Sequence, residues 1–279
     1  MRKKNAQNEL YIPNEIRRIT GNQKFVYNHT GMSASKVLIF PAYVLKIQPQ
    51  SPETENEKEI AAWIADKKKE RKEGLPIPEI KAYVTENKTA YTLMTKINGN
   101  MLCDQEYMKH PKQLIGLVAE GLKLLWRIDI RNCPCGVSPL EKRLKEARRN
   151  VENATVALEL AEEDTFGPSG FVNPGELLHW LENNRPKEDP VLTHGDFCLP
   201  NILAEHGHIS GFIDTGKMGP ADKWQDIAIV LRSLKHNFAG KYTGGKSYPG
   251  YDPQMLLDEL GIEMDEEKNR YYRLLDELF

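Results

Sequence analysis

His194-Gly195-Asp196-Phe197-Cys198-Leu199-Pro200-Asn201 sets a carboxylate and a carboxamide five residues apart in a short segment. Val191-Leu192-Thr193 leads into it as a strand-like run, and Pro200 fixes φ immediately before Asn201. Downstream, Gly211-Phe212-Ile213-Asp214-Thr215-Gly216 delivers a second acid at the end of another apolar run. Between them His206-Gly207-His208 reads as the turn of a small hairpin, which predicts that Asp214 returns beside Asn201. Three oxygen-bearing side chains converging from two loops suit phosphoryl transfer. That reaction asks a protein mainly for position and charge neutralisation. A carboxylate must face the attacking hydroxyl, and hard oxygen donors must hold Mg²⁺ against the phosphates.

In kinases the spacing Asp-x-x-x-x-Asn belongs to the catalytic loop, where the Asp orients the hydroxyl and the Asn holds a metal. Alone it occurs by chance in many chains; joined by Asp214, where the kinase D-F-G acid would sit, it is specific. Lys46 shares a strand face with Val44, and Glu57 follows eleven residues on in a helical stretch. A strand Lys paired with a helix Glu is how kinases hold the α- and β-phosphates. Taken singly, a surface Lys and a Glu placed for the helix dipole explain these two as well. Beside Asp196, Asn201 and Asp214 the phosphate-binding reading prevails. His194, next to a glycine and two residues before Asp196, reads as a loop-shaping hydrogen-bond partner, and Asp226 as a brace for the catalytic loop.

Working outward, residues 36–40 and 43–47 predict a hairpin through Pro41-Ala42, residues 54–69 a helix with Ile60, Trp63 and Ile64 on its apolar face, and residues 80–84 and 90–94 two further strands. After Asn98-Gly99 the pattern turns helical: residues 112–128, 140–161, and a helix opened by Asn173-Pro174-Gly175. Short β segments return at 191–193, 201–203 and 209–213, with helices in the remainder around the glycine-rich stretch 240–250. The expected architecture is α+β: a small β-rich lobe over residues 1–97 and a larger, mainly helical lobe over 98–279. The four tryptophans, Trp63, Trp126, Trp180 and Trp224, fall on apolar helical spacings and read as core.

Composition narrows the class. The chain has 279 residues, 40% hydrophobic and 28% charged, the balance of an ordinary globular protein. No apolar run approaches the ~20 residues of a membrane span, and the basic start lacks an apolar signal core, so a cytoplasmic protein is expected. Four scattered cysteines fit reduced thiols better than a disulfide scaffold or a zinc knuckle. A net charge of −2 argues against a nucleic-acid surface. The charge is uneven, however. Residues 252–279 hold nine Asp and Glu against three Lys and Arg, and residues 152–166 hold five acids and no base. Solvated helix faces explain each segment; two in one chain also suit a cationic partner.

The sequence resembles the aminoglycoside phosphotransferases, and most closely their 3′-phosphotransferase (kanamycin kinase) branch. The matching runs are Thr30-Gly31-Met32-Ser33, Val44-Leu45-Lys46, Glu57 with Trp63, Leu75-Pro76-Ile77-Pro78, the stretch 194–201, Ser210-Gly211-Phe212-Ile213-Asp214, residues 219–228, and Leu274-Leu275-Asp276-Glu277-Leu278-Phe279. The resemblance implies a two-lobed, protein-kinase-like fold and ATP-dependent, Mg²⁺-assisted phosphorylation of an aminoglycoside hydroxyl, the 3′-hydroxyl in that branch, conferring resistance. It implies Asp196 as catalytic base or orienting carboxylate, Asn201 and Asp214 as metal ligands, and Lys46, held by Glu57, on the phosphates. Met32 and Ser33 would cover the β-phosphate, Val44 and Ile213 would flank the base, and Thr95 and Ile97 would present hinge backbone to it. The acidic drug pocket would comprise Glu159, Glu162, Asp276, Glu277 and Phe279 with its carboxylate, with Lys217 beside them where the family often has Arg. Partners are then ATP and a small aminoglycoside, with no nucleic acid or membrane, in a monomer or weak homodimer. Val44 stands where many relatives carry an aromatic, and no G-x-G-x-x-G loop is present. Gly244-Gly245-Lys246-Ser247 lacks the spacing and strand of a P-loop and is set aside. Alternatives are a kinase of another hydroxylated metabolite or antibiotic, and a nucleotide-binding regulator without turnover.

Overall fold

The β-rich runs of the first hundred residues pair into one antiparallel sheet in which β1 (Val26–Asn28), β2 (Lys36–Ile39) and β3 (Tyr43–Pro49) are followed by β5 (Thr89–Thr95) and then β4 (Ile80–Glu86) at the edge. The computed structural model describes residues 10–28, 35–71, 74–134, 136, 138–168 and 170–279. Met32 and Ser33 lie outside them. Alternation along β3 sorts its side chains: Leu45 and Ile47 enter a core with Leu38, Phe40, Tyr91 and Leu93, while Val44 and Lys46 point to the other face, where they stand opposite Met94 and Thr92 of β5. Helix α1 (Asn14–Thr20) contributes Ile16 to that core. It is a second helix in this region besides the one expected over 54–69, and its polar, seven-residue sequence is too short to carry a periodic signal. Helix α2 (Pro52–Arg71) buries Ile60 and Ile64 as its spacing predicts.

Beyond the sheet come β6 (Asn100–Met101), α3 (Gln105–Met108), α4 (Pro111–Trp126), α5 (Leu140–Glu152), α6 (Pro174–Asn183), β7 (Pro190–Thr193), β8 (Ile202–Glu205), β9 (His208–Phe212), β10 (Gly219–Asp222), α7 (Lys223–Ala239), α8 (Gln254–Leu260) and α9 (Glu266–Asp276). Leu114, Leu117, Val118, Leu122 and Leu125 of α4 pack with Leu177 and Leu181 of α6, Ile227 and Leu234 of α7, and Leu275 of α9 in one large core. Of the tryptophans, Trp224 is buried and the other three are half-buried against this core.

Three boundaries differ from the sequence reading. Helix α5 stops at Glu152 rather than continuing to 161. Ala154 turns left-handed (φ 53°), and its N–H and that of Thr155 bond back to Val151 O and Asn150 O, a Schellman closure built on alanine instead of glycine. Asn201 ends a one-turn 3₁₀ helix (Leu199–Asn201), and the strand begins after it. Strand β10, Gly-Pro-Ala-Asp, carries no β-branched residue, yet it pairs antiparallel with β7, setting Gly219 against Thr193. That two-stranded ladder and the three-stranded β6-β8-β9 sheet hold the two polar loops side by side.

Candidate active site

The segment between β7 and β8 is fixed by main-chain contacts on every side. Asp226, fully buried near the start of α7, accepts the N–H of His194 on Oδ2 (2.7 Å) and that of Gly195 on Oδ1 (2.9 Å). Burial pushes the Asp226 carboxyl up to about 7 against the pull of those two N–H groups. Leu199 N donates to Ser233 Oγ two turns further along the same helix face (3.1 Å). Gly195 takes φ 82°, and a Cβ there would lie 2.3 Å from the Lys217 carbonyl oxygen, so only glycine fits.

His194 joins the two loops. Its Nδ1 accepts the Asp196 N–H (3.3 Å) and its Nε2 faces the Ile213 carbonyl (2.9 Å), a pattern met by the neutral ring protonated on Nε2. Burial holds its pKa below the ordinary histidine value, in keeping with a shaping role. Asn201 donates through Nδ2 to the Asp196 carbonyl (3.0 Å) and to Asp196 Oδ2 (3.1 Å), which leaves its side-chain carbonyl as an acceptor. Ile213 N bonds Asn201 O (3.0 Å), so the hairpin does return Asp214 beside Asn201.

Asp214 adopts a left-handed conformation (φ 62°) that turns its carboxylate, 55% exposed, into the cleft toward the sheet. Lys46 meets it there. The Lys46 ammonium donates to Asp214 Oδ1 (2.8 Å) and to both oxygens of buried Glu57 (3.1 and 3.2 Å). Burial opposes charge on Lys46, but the two carboxylates outweigh it and hold the ammonium above the usual lysine range. Partial desolvation within the cleft opposes the Asp214 charge, and Lys46 outweighs it, keeping that carboxyl below its ordinary value. Helix α2 is tied to the same place: Asn56 Nδ2 donates to Gly216 O and Met218 O, both at 2.8 Å. At the hinge the N–H groups of Thr95 and Lys96 bond Glu79 O and Ala42 O, and Ile97 packs over Gly211.

A second cluster forms where α5, α7, α9 and residue 162 meet. Arg232 bonds Asp276 and, at 3.1 Å, Glu277 Oε1; Arg143 reaches Asp276 Oδ1 at 3.5 Å and lies over the Phe279 ring at 4.9 Å. The Glu162 N–H donates to Glu277 Oε2 (2.9 Å), and the Glu162 carboxylate pairs with His236 and Lys241. Despite its burial, Asp276 is held below the ordinary carboxylate range by Arg232, Lys217 and Arg143, whereas burial raises Glu277. Lys217, 5.8 Å from the Phe279 ring, connects the clusters: Glu53, Asp276 and Asp196 together raise its pKa against burial. Glu159 is not gathered in; it is exposed on the turn Leu158–Leu160. Glu53, Asn56, Arg143, Arg232, His236 and Lys241 were not singled out from sequence. Only the i,i+4 pair Arg232 and His236, on one face of α7, carried a signal that could have found them.

The arrangement places a catalytic-loop carboxylate, two oxygen donors and a charged lysine around one cleft, with a charge-compensated acidic wall beside it. The chain is similar over its length to known proteins. The model of the "Phosphotransferase enzyme family" matches residues 16–253. An aminoglycoside 3′-phosphotransferase of Enterococcus faecalis is 33% identical over 284 residues, covering 97% of this chain and 99% of that protein. Among solved structures, a type VIII aminoglycoside-3′-phosphotransferase superposes with TM-score 0.77 at 24% identity (95% and 98% of the two chains), and a Streptomyces rimosus aminoglycoside phosphotransferase in complex with ADP and streptomycin with TM-score 0.74 at 21% identity (95% and 96%). Among the described residues no helix is long and apolar enough to cross a membrane. With a family match over most of its length and the two-lobed, protein-kinase-like fold of its structural neighbours, the chain belongs to the phosphotransferase enzyme family.

Proposed function

We propose that this enzyme transfers the γ-phosphoryl group of ATP to a hydroxyl of an aminoglycoside, the 3′-hydroxyl, and so confers resistance. The observation that carries it is that Lys46, held by Glu57, reaches across the cleft to Asp214 beside the Asp196–Asn201 loop. The named activity of the near-full-length relatives supports the acceptor, and the neighbour solved with ADP supports nucleotide use. Residues 1–97 form the nucleotide lobe and 98–279 the catalytic and acceptor lobe, in a cytoplasmic enzyme.

Val44 and Ile213 flank the adenine, and Ile97 reads it with main-chain groups, the Thr95 N–H being already spent within the sheet. Lys46, kept charged by its two carboxylates, grips the α- and β-phosphates. The donor set fits Mg²⁺: the Asn201 carbonyl and the Asp214 carboxylate are hard oxygens, and this ion takes few protein ligands when phosphates supply others. Asn201 and Asp214 would hold the ion with the nucleotide, where it would supply neutralisation of phosphate charge. Asp196, its Oδ2 restrained by Asn201, orients the acceptor hydroxyl and receives its proton. His194, neutral and spent on two main-chain groups, takes no proton. Glu162, Asp276 and Glu277 with Phe279 receive the ammonium groups of the acceptor, with Glu159 at the exposed rim, through charge-assisted hydrogen bonds.

Purified protein with MgATP and kanamycin is expected to release ADP, and Asp196→Ala to lower kcat by about 10²–10⁴. A chain that turns over no aminoglycoside bearing a 3′-hydroxyl overturns the assignment.

A further inference from the structure

Each carboxylate of the inner acidic wall already has a cation of the protein against it. Two kinds of pairing are present. Asp276 and Glu277 are gripped by Arg232, a planar guanidinium bonded to both and largely buried. Glu162 is held differently. Its Oε1 faces His236, whose ring is buried edge-on against Tyr242 (5.5 Å), and also Lys241, whose ammonium stands 3.4 Å away with its side chain 45% exposed. Glu162 itself is 15% exposed.

Lys241 opens the glycine-rich stretch 240–250, which no catalytic role absorbs. Its backbone position is set: Gly240 caps α7 at φ 93°, and Lys241 N bonds His236 O (2.9 Å). The stretch is anchored further on by Lys246 Nζ to Gln105 Oε1 (3.1 Å) and Tyr248 N to Phe238 O (2.9 Å). Only the four-carbon stem of Lys241 needs to move for its ammonium to leave. A half-exposed lysine at this distance contributes little net stability and is readily displaced, unlike the forked contact of Arg232.

We propose that Lys241 is a resident placeholder for one ammonium group of the acceptor, occupying Glu162 until a polycation displaces it. The proposal rests on the reading that the acidic wall receives a cationic acceptor. It makes Lys241 a specificity determinant. An acceptor with an ammonium at this position must replace an existing ion pair and gains only the difference, while Arg232 keeps Asp276 and Glu277 in place throughout. His236, buried and ring-packed, stays to orient the Glu162 carboxylate.

The test compares the parent with Lys241→Met, Glu162→Gln and the double variant, in steady-state kinetics with kanamycin at low ionic strength, where exposed charge pairs are least screened. Lys241→Met is expected to lower KM for kanamycin about two- to fivefold while kcat moves less than twofold, and the gain is expected to vanish when Glu162 is already Gln. An unchanged or raised KM in Lys241→Met, or the same gain in the Glu162→Gln background, overturns the proposal. Calorimetric titration with spermine gives a second readout that needs no turnover. Should the parent fail to phosphorylate any aminoglycoside, the functional reading falls. The placeholder is then judged by whether Lys241→Met binds spermine more tightly than the parent does; equal or weaker binding refutes it.

Discussion

Replacing Asn56 by Ala removes both hydrogen bonds that tie α2 to the turn after Asp214. Asn56 is 2% exposed, and its Nδ2 donates to Gly216 O and Met218 O at 2.8 Å each. Two such bonds contribute roughly 1 kcal/mol apiece, and two buried carbonyls left without a donor add to the loss, so the expected destabilisation is about 2–4 kcal/mol. The amide is closely enclosed: a Cβ at Gly136 would lie 1.6 Å from Asn56 Oδ1. The functional effect follows from the neighbour. Glu57 is the next residue, and it holds Lys46 against Asp214, so a loosened α2 should raise KM for ATP by about fivefold, the equivalent of roughly 1 kcal/mol. Urea denaturation and ATP-dependent kinetics measure the two. Asn56→Asp sharpens the test. It keeps the shape but turns a carboxylate toward two carbonyl oxygens, so it should cost more than Asn56→Ala. A loss under about 0.5 kcal/mol in Asn56→Ala, or a milder effect in Asn56→Asp, would refute the donor role.

Two further outcomes are expected. Asp226 keeps its proton to about pH 7 in the folded chain, against an ordinary value of 3.8. Between these limits the unfolded chain has already lost the proton that the fold retains, so this group's contribution to stability falls as pH rises from about 4 to 7. Relative to Asp226→Asn, which does not titrate, the parent should lose up to about 4 kcal/mol across that window. A stability difference flat with pH in urea melts would contradict it. Arg232→Gln should leave Glu277 without its counter-ion and Asp276 with only Arg143 and Lys217, and cost about 3 kcal/mol, with KM for the acceptor raised; a variant as stable as the parent would show that Arg232 is not their main counter-ion.

What could be read in the sequence follows the range of the interactions involved. The convergence of Asp196, Asn201 and Asp214 was legible because a short hairpin, closed between Glu205 and His208, fixes it within twenty residues. Lys46 and Glu57 were legible through strand alternation and the helix that directly follows. The acidic wall was half legible: Asp276 and Glu277 were found, but not that Arg143 and Arg232 neutralise them. Helix α5 carries five Lys and Arg; only Arg143, which packs on Phe279, shares the apolar stripe of Leu140, Leu144 and Ala147, and a charged residue on that stripe does not reveal its partner. The early stop of α5 was hidden because alanine, not glycine, takes the left-handed position. Strand β10 was hidden because its partner, not its composition, makes it a strand. That Glu159 stays outside the inner wall was not legible, because an acidic run does not reveal which of its members turns inward.

Helix α7 carries Asp226 and Ser233, which hold the catalytic loop, and Arg232 and His236, which hold the acidic wall. Both halves of the reaction are therefore registered on one rigid rod with a rise of about 1.5 Å per residue. On the proposed function, the distance between the acceptor's anchor points and the Asp196 carboxylate is set by helical geometry, not by loops that could drift separately. A substitution that tilts or unwinds this helix would misplace acceptor and catalytic loop together, so losses of affinity and of turnover should arrive as a pair.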